Sequence, residues 1–404
     1  MKKIFVMVFA AMLVFAFTLP ARAVDVKMDA VLIFDTGFLS TDENFQRNTL
    51  GQAADSGWEG GSININPFGF YGFTLKDKNV GVRANIAPRG YGDDLNGSDT
   101  IYLREFYGWW QVNQMFKLVV GQLHTDHSGI GPSFIYGAVT PMSDAPGWAG
   151  PMRAGLYTYL LGFGNHFSRR VPQVQLNFAF SPNVGLQVAF LDPNNAGGND
   201  ETKMPRMDIT ATLKFGPITI MPSYMTNKKD YSYDTGVTGP SSLDVNQWCV
   251  PVRVSMGSLT FQGEYHKGVN IGNSNLYPHQ TGYNLAGGIG TAAKLVGDKY
   301  YDTDTVAYWG EVNYKAGKFK PGFLYGVQES ENTEAAVGAA RFEREQSMWG
   351  LYLKWSATPH WTITPYYAEF DHGNDTLYGA TGAGADGPDM GKVKNYGINF
   401  MVAF

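Results

Sequence analysis

The chain has 404 residues, with 31 Lys and Arg against 36 Asp and Glu, a formal net charge of −5. That acidic balance disfavours nucleic-acid binding, and a single cysteine, Cys249, excludes an internal disulfide, a Cys-x-x-Cys-His haem attachment and a zinc-binding cysteine pair. Tyr (23), Phe (26) and Gly (49) are abundant, which suits aromatic girdles and tight turns better than a helical bundle.

At the start of the chain, Lys2 and Lys3 precede an apolar run from Ile4 to Leu19, followed by Pro20-Ala21-Arg22-Ala23. A basic start, an apolar centre and an Ala-x-Ala site predict a secretory signal peptide over 1–23, cleaved after Ala23. The run is short for a spanning helix, which needs about 20 residues. No Cys follows the site, so no lipid anchor is expected. Residues 24–404 carry 28 basic and 36 acidic side chains, a net charge of −8, and read as one domain.

That domain is a succession of strand pairs. Residues 62–75 and 80–87 flank Lys76-Asp77-Lys78-Asn79; 100–112 and 116–123 flank Asn113-Gln114. Residues 172–180 and 184–190 flank Ser181-Pro182-Asn183, and 206–215 and 218–225 flank Gly216-Pro217. Gly257-Ser258, Ala316-Gly317 and Ala357-Thr358-Pro359-His360 mark three further reversals. With an entering strand at 26–34 and a closing strand at 393–404, the count is 16 strands and seven short turns. The other eight connections are longer and polar, near 38–58, 90–99, 124–170, 191–204, 227–244, 268–302, 330–344 and 371–390. Regular alternation of short and long connections predicts an all-β fold, a transmembrane antiparallel β-barrel with short periplasmic turns and long extracellular loops.

Side chains alternate across a strand, so faces can be assigned. Val174, Leu176, Phe178 and Phe180 form one face, opposite Gln173, Gln175, Asn177 and Ala179. Trp248, Val250, Val252 and Val254 lie outward, placing Cys249 and Arg253 inward; Glu311, Asn313 and Lys315 lie inward likewise. One wet face per strand implies a wet interior, hence a channel rather than a filled core. Pro222, Pro321 and Pro365 are expected at bulges or strand ends. Arg104 and Glu105 can both face inward only across a bulge. In the closing strand Tyr396, Ile398, Phe400, Val402 and Phe404 share an apolar face, expected to meet outer-membrane lipid.

The longest connection, 124–170, is long enough to fold inward and narrow the pore. Its charged candidates are Asp126, Asp144, Arg153, Arg169 and Arg170, alongside His127 and His166. Inward candidates on the wall are Arg83, Asp208, Lys214, Arg253, Glu264, Glu311, Lys315, Lys318, Lys320 and Lys354. Charged rings at a constriction set ion selectivity through local field and size. Asp302-Thr303-Asp304 lacks the rest of a calcium loop, and no His-x-x-x-His or Gly-x-Ser-x-Gly marks a metal or hydrolase centre. Neither a cofactor, a metal nor an enzymatic reaction is expected.

Signal peptide, 16 alternating strands, a long third outer loop and the aromatic ending Tyr396–Phe404 together resemble the trimeric bacterial porins. Arg104-Glu105-Phe106-Tyr107-Gly108 and Gly121-Gln122 resemble that family's fourth- and fifth-strand segments loosely. The resemblance implies a homotrimer in outer-membrane lipid that passes small hydrophilic solutes and ions by diffusion. It also implies that Tyr396, Ile398, Phe400, Val402 and Phe404 are an assembly signal for the barrel-assembly machinery. In such porins the third loop is usually acidic; here it carries three arginines against two aspartates. Two alternatives stay open: a channel selective for a sugar or an anion, and a structural or adhesive barrel with a blocked lumen.

Overall fold

The computed structural model describes residues 24–49, 62–89, 100–133, 139–140, 155–156, 160, 163–168, 170–192, 204–230, 242–274, 276–277, 291–296, 299–332, 341–378 and 384–404. The segment 1–23 lies outside them. Sixteen strands form one closed antiparallel barrel. They are β1 (Asp25–Thr41), β2 (Ser62–Asp77), β3 (Val80–Arg89), β4 (Thr100–Gln111), β5 (Phe116–Leu123), β6 (Val171–Ser181), β7 (Val184–Leu191) and β8 (Arg206–Phe215). There follow β9 (Ile218–Ile220 with Ser223–Asp230), β10 (Ser242–Met256), β11 (Leu259–Val269), β12 (Asp304–Tyr314), β13 (Phe319–Asn332), β14 (Arg341–Ser356), β15 (Trp361–Asp371) and β16 (Lys392–Ala403). Each pairs with the next, and β16 closes on β1 from Val31↔Ala403 to Thr41↔Val393. Closure leaves no edge strand, so every stave finds its ladder partners within the chain.

The short turns are closed by their own side chains. Asn113 Oδ1 accepts the N–H groups of Met115 (2.8 Å) and Phe116 (2.9 Å), and Ser181 Oγ accepts those of Asn183 and Val184. Gly216, Gly257 and Gly317 supply left-handed backbone, with φ of 57°, 59° and 61°, at three of the tightest reversals.

Each irregularity expected of the staves has a location. The β3–β4 register shifts from Asn85↔Glu105 to Ile86↔Leu103, so Arg104 is the extra residue of a bulge. Its guanidinium lies 4.4 Å from the Phe70 ring centre, while Glu105 turns inward. Pro222 falls in the break within β9. Pro321 lies just beyond the last β12 rung, Asn313↔Gly322, and needs no partner for its missing N–H on that side. Pro365 sits where the β14–β15 ladder jumps from Tyr352↔Tyr366 to Trp355↔Ile363.

Outside, the barrel presents a continuous apolar band; Trp248 is 59% exposed and Phe404 72%. Aromatic pairs ring both ends of it. Near the turns Phe116 stacks on Phe178 (5.2 Å between centroids) and His360 on Phe404 (4.9 Å). Toward the loops Tyr224 meets Trp248 (4.5 Å) and Trp349 meets Tyr367 (5.2 Å). Tyr396, Ile398 and Phe404 are exposed on this face, and Val402 is covered between its rung neighbours Leu32 and Trp361.

The interior departs from the uniformly wet lumen that alternation implies. Along β12–β16 the inward positions Trp309, Leu324, Met348, Tyr352, Tyr366, Phe370 and Val393 form a buried apolar cluster with Ile130, Leu160 and Phe163 of the third loop and Phe45 of the first. Alternation assigns a side chain to a face but does not say what covers it. Here two loops fold inward and bury that part of the wall, which leaves water the opposite side.

Candidate functional site

The third loop runs round the inner wall. Just after β5, Gln173 Nε2 donates to the Leu123 carbonyl and Gln175 Nε2 to that of His124 (2.7 Å). The Asp126 N–H then donates to Gln187 on β7 (2.7 Å), and Thr125 Oγ1 to Asp208 on β8 (2.8 Å). His127 Nε2 meets Gln247 on β10 (2.8 Å), and Ser128 Oγ lies 2.8 and 2.6 Å from the Glu264 oxygens on β11. Gln262 Nε2 donates to the Gly131 carbonyl (3.1 Å), and the Ser133 N–H donates to Glu311 on β12 (2.6 Å). Chain order in the loop thus keeps step with stave order in the wall. Six stave spacings of about 4.8 Å match roughly the reach of ten extended residues at 3.3 Å each, so this run is stretched along the circumference.

Ser133 is the most heavily held residue of the run. Besides Glu311, Lys320 Nζ reaches its hydroxyl (3.2 Å) and Lys354 Nζ its carbonyl. Glu311 in turn accepts from Gln262 Nε2 (2.8 Å), Asn313 Nδ2 (2.9 Å) and the Tyr352 hydroxyl. Four donors on one carboxylate satisfy an otherwise costly buried charge.

The far end of the loop docks against the same wall. Gln247 bridges two histidines: its Oε1 accepts from the His127 Nε2–H and its Nε2 donates to His166 Nδ1 (2.7 Å), so His166 Nε2 donates to Gln328 Oε1 (2.8 Å). Both rings are neutral in this network, and burial lowers both pKa values, that of His166 to about 3. Phe163 packs edge-on against Phe370 (5.1 Å) and His372 (5.4 Å).

On the facing wall, formed by β1, β3 and β4, a chain of ion pairs stays open to water. Asp29 bonds Arg83 (2.8 Å), Arg83 lies 3.5 Å from Glu105, and Glu105 lies 3.3 Å from Arg170 at the end of the loop. Each of these four side chains is about one-fifth exposed.

The predicted site residues divide accordingly. Asp208, Glu264 and Glu311 point inward, but the loop covers them; Asp208 is 1% exposed and paired with Arg206 (2.6 Å). They hold the loop and do not face open solvent. Lys214, Arg253 and Lys315 point inward near the turn end and are exposed. Asp126 reaches into the lumen, where enclosure by the wall raises its carboxyl above the usual range. Arg170 joins the Arg83 network. Asp144, Arg153 and Arg169 lie outside the described residues. Sequence reasoning did not single out Asp29, Ser128, Ser133 or the glutamines. Inward Gln at alternate positions (173, 175, 187, 247, 262, 328) was the available signal.

No family model and no curated protein matches this sequence. Several solved structures match its fold. The outer membrane channel DcaP of Acinetobacter baumannii superposes with a TM-score of 0.59 at 14% identity, covering 95% of this chain and 99% of that one. An anion-selective porin from Comamonas acidovorans gives 0.58 at 9% identity, over 94% and 100%. The trimer form of OmpT, an outer membrane protein of Vibrio cholerae, gives 0.54 at 13% identity, over 95% and 100%. Likeness at such low identity speaks to architecture, and the architecture of this chain is the sixteen-stranded barrel of the outer-membrane porins.

Proposed function

We propose that the chain is an outer-membrane channel through which small hydrophilic solutes and ions diffuse passively, with the third loop as its constriction. One observation carries the reading: residues 124–133 line one side of the lumen while Asp29, Arg83, Glu105 and Arg170 stay water-accessible on the other. A narrowed passage bounded by fixed charges is what size-limited, charge-tuned permeation requires. The outward apolar band and its two aromatic girdles support a membrane setting in which strands cross the bilayer. Export by the 1–23 segment, insertion by the barrel-assembly machinery and assembly as a homotrimer complete the proposal; a similar fold is known in trimer form. No reaction is assigned to the barrel.

The test is reconstitution of the refolded protein in a planar bilayer, with conductance and reversal potential recorded in a salt gradient. Ohmic conductance supports diffusion, and saturation by one solute supports a selective channel. A second reading, a blocked barrel, is favoured by the apolar cluster along β12–β16. Absence of any conductance would establish it and end the channel proposal.

A further inference from the structure

We propose that Cys249, Glu264 and His266 form a binding site for one zinc-class divalent cation in the barrel wall beneath the third loop. The site arises from strand pairing. The hairpin β10–β11 turns at Gly257-Ser258, which sets Cys249 directly opposite His266 and Pro251 opposite Glu264. Cys249, His266 and Glu264 therefore share the inward face as one direct and one diagonal neighbour. Motif reading misses such a site, because its ligands are 15 and 17 positions apart and meet only through the register.

The geometry suits a small tetrahedral ion. Cys249 Sγ is 3.3 Å from Glu264 Oε2 and 3.9 Å from His266 Nε2, and Nε2 is 3.5 Å from Oε2. Metal–ligand bonds of about 2.3 Å to sulfur and about 2.0 Å to nitrogen and oxygen give tetrahedral edges of roughly 3.3–3.6 Å. The three donor atoms are within a few tenths of an ångström of that triangle. Trp309 Nε1 donates to Glu264 Oε1 (2.9 Å), fixing the carboxylate so that Oε2 faces the other two donors. Ser128 Oγ donates to the same Oε2 (2.6 Å) and, with Trp309, holds the carboxylate in place.

Two further observations support a cation at this point. His266 is fully buried, and its Nε2 is turned to the other two donors, Glu264 Oε2 at 3.5 Å and Cys249 Sγ at 3.9 Å. Glu264, 4% exposed, has no Arg or Lys within ion-pair reach among the described residues. Among the described residues only His266 lies within ion-pair distance of this buried carboxylate, and a neutral imidazole leaves the charge unbalanced. Binding balances it: the Cys249 thiol releases its proton to solvent, and sulfur, imidazole nitrogen and carboxylate oxygen donate lone pairs to the divalent ion. Two negative charges then offset two positive ones, with no change of oxidation state. A thiolate with an imidazole favours zinc-class ions over calcium or magnesium.

The test uses cobalt(II), a spectroscopic stand-in for zinc, added to the folded full barrel in detergent and also present during refolding. The expected result is one cobalt per chain with a sulfur-to-metal charge-transfer band in the near ultraviolet. The chain has one cysteine, so the band can come only from Cys249. Cys249→Ser abolishes the band, and Glu264→Gln or His266→Gln weakens binding at least tenfold. The wild-type spectrum decides even if a variant fails to fold: no band under either protocol overturns the proposal. Undiminished binding in folded Glu264→Gln and His266→Gln overturns it as well.

Discussion

The Ser133 N–H donates to Glu311 Oε2 at 2.6 Å, tying a residue ten positions beyond β5 to a stave on the far side of the barrel. Glu311 also gathers Gln262, Asn313 and Tyr352, so it acts as a knot for loop and wall together. Glu311→Ala leaves those donors without an acceptor inside a region only 4% exposed at Glu311. We expect a stability loss of about 3 kcal/mol, the scale for losing buried hydrogen bonds to a charged group, with larger and noisier single-channel currents. Thermal unfolding in detergent and bilayer recording check both. An unchanged midpoint with unchanged current would show that Glu311 does not hold the loop.

Backbone proximity anchors the other end of the loop. A Cβ on Gly326 of β13 would collide with the Phe163 carbonyl, and one on Gly164 with the Tyr308 carbonyl. Gly326→Ala should therefore unseat Phe163 from Phe370 and cost about 2–3 kcal/mol, as overpacking does. Gly317→Ala is the control: its Cβ meets nothing within 4 Å, and only the left-handed φ of 61° is strained, at about 1 kcal/mol. Equal midpoints for the two variants would contradict close docking at Gly326.

Much of this fold was legible because lipid imposes a period of two that residues such as Trp248, Val250 and Val252 obey. Even the bulge at Arg104 was foreshadowed by two adjacent charges competing for one face. The site was less legible for a physical reason. Glu264 and Asn313 look alike by alternation, yet whether either meets water depends on a loop arriving from residue 125 or later. Ser128 and Ser133 carry no pattern of their own; their roles come from where the loop's reach places them. The apolar cluster was hidden likewise, since Leu324 and Met348 face inward but bury only because Phe163 and Phe45 fold onto them.

Acid should loosen the loop. His127, His166 and His372 lie in loops and are held neutral by burial, with His166 and His372 brought down to about 3. Free histidine titrates near pH 6.5, so on acidification the unfolded chain takes up these protons first. Stability is therefore full above about pH 6.5 and falls as pH drops toward 3. At about 1.4 kcal/mol per unit of separation, the loss reaches several kcal/mol by roughly pH 4. Asp126, raised by enclosure, works in the opposite direction, so the histidine contribution is isolated by a variant. His166→Gln keeps one donor and one acceptor and should flatten the midpoint-versus-pH curve between pH 7 and 4. Parallel curves for the two proteins would refute the assignment.

Selectivity should respond to the open wall rather than to the covered acids. Arg83→Gln removes a water-accessible positive charge beside Asp29 and Glu105 and should move the reversal potential toward cations; Glu105→Gln should move it toward anions. Asp208→Asn should leave it nearly unchanged, because Arg206 and Thr125 already neutralise and cover that carboxylate. For the partly exposed Arg83 pair the stability cost is about 1 kcal/mol or less. Identical reversal potentials for wild type and Arg83→Gln would place the ion path elsewhere.

Phe404 separates a role in assembly from a role in stability. Its backbone exchanges two hydrogen bonds with Ala30 (2.9 and 3.2 Å), sealing the β16–β1 seam, and these do not involve its ring. The ring is 72% exposed and stacks on His360 with centroids 4.9 Å apart, a contact of about 0.5–1.5 kcal/mol. Phe404→Ala should thus lower the midpoint of the refolded barrel only slightly. If the exposed aromatic ending is read during insertion, the same substitution should cut the amount of folded barrel in the outer membrane several-fold. Pulse-labelling of membrane-inserted protein measures that directly. Matched yields would leave Phe404 as one more girdle residue, whereas a large drop in yield with a near-normal midpoint would show recognition, since the contacts of the finished barrel are too weak to account for it.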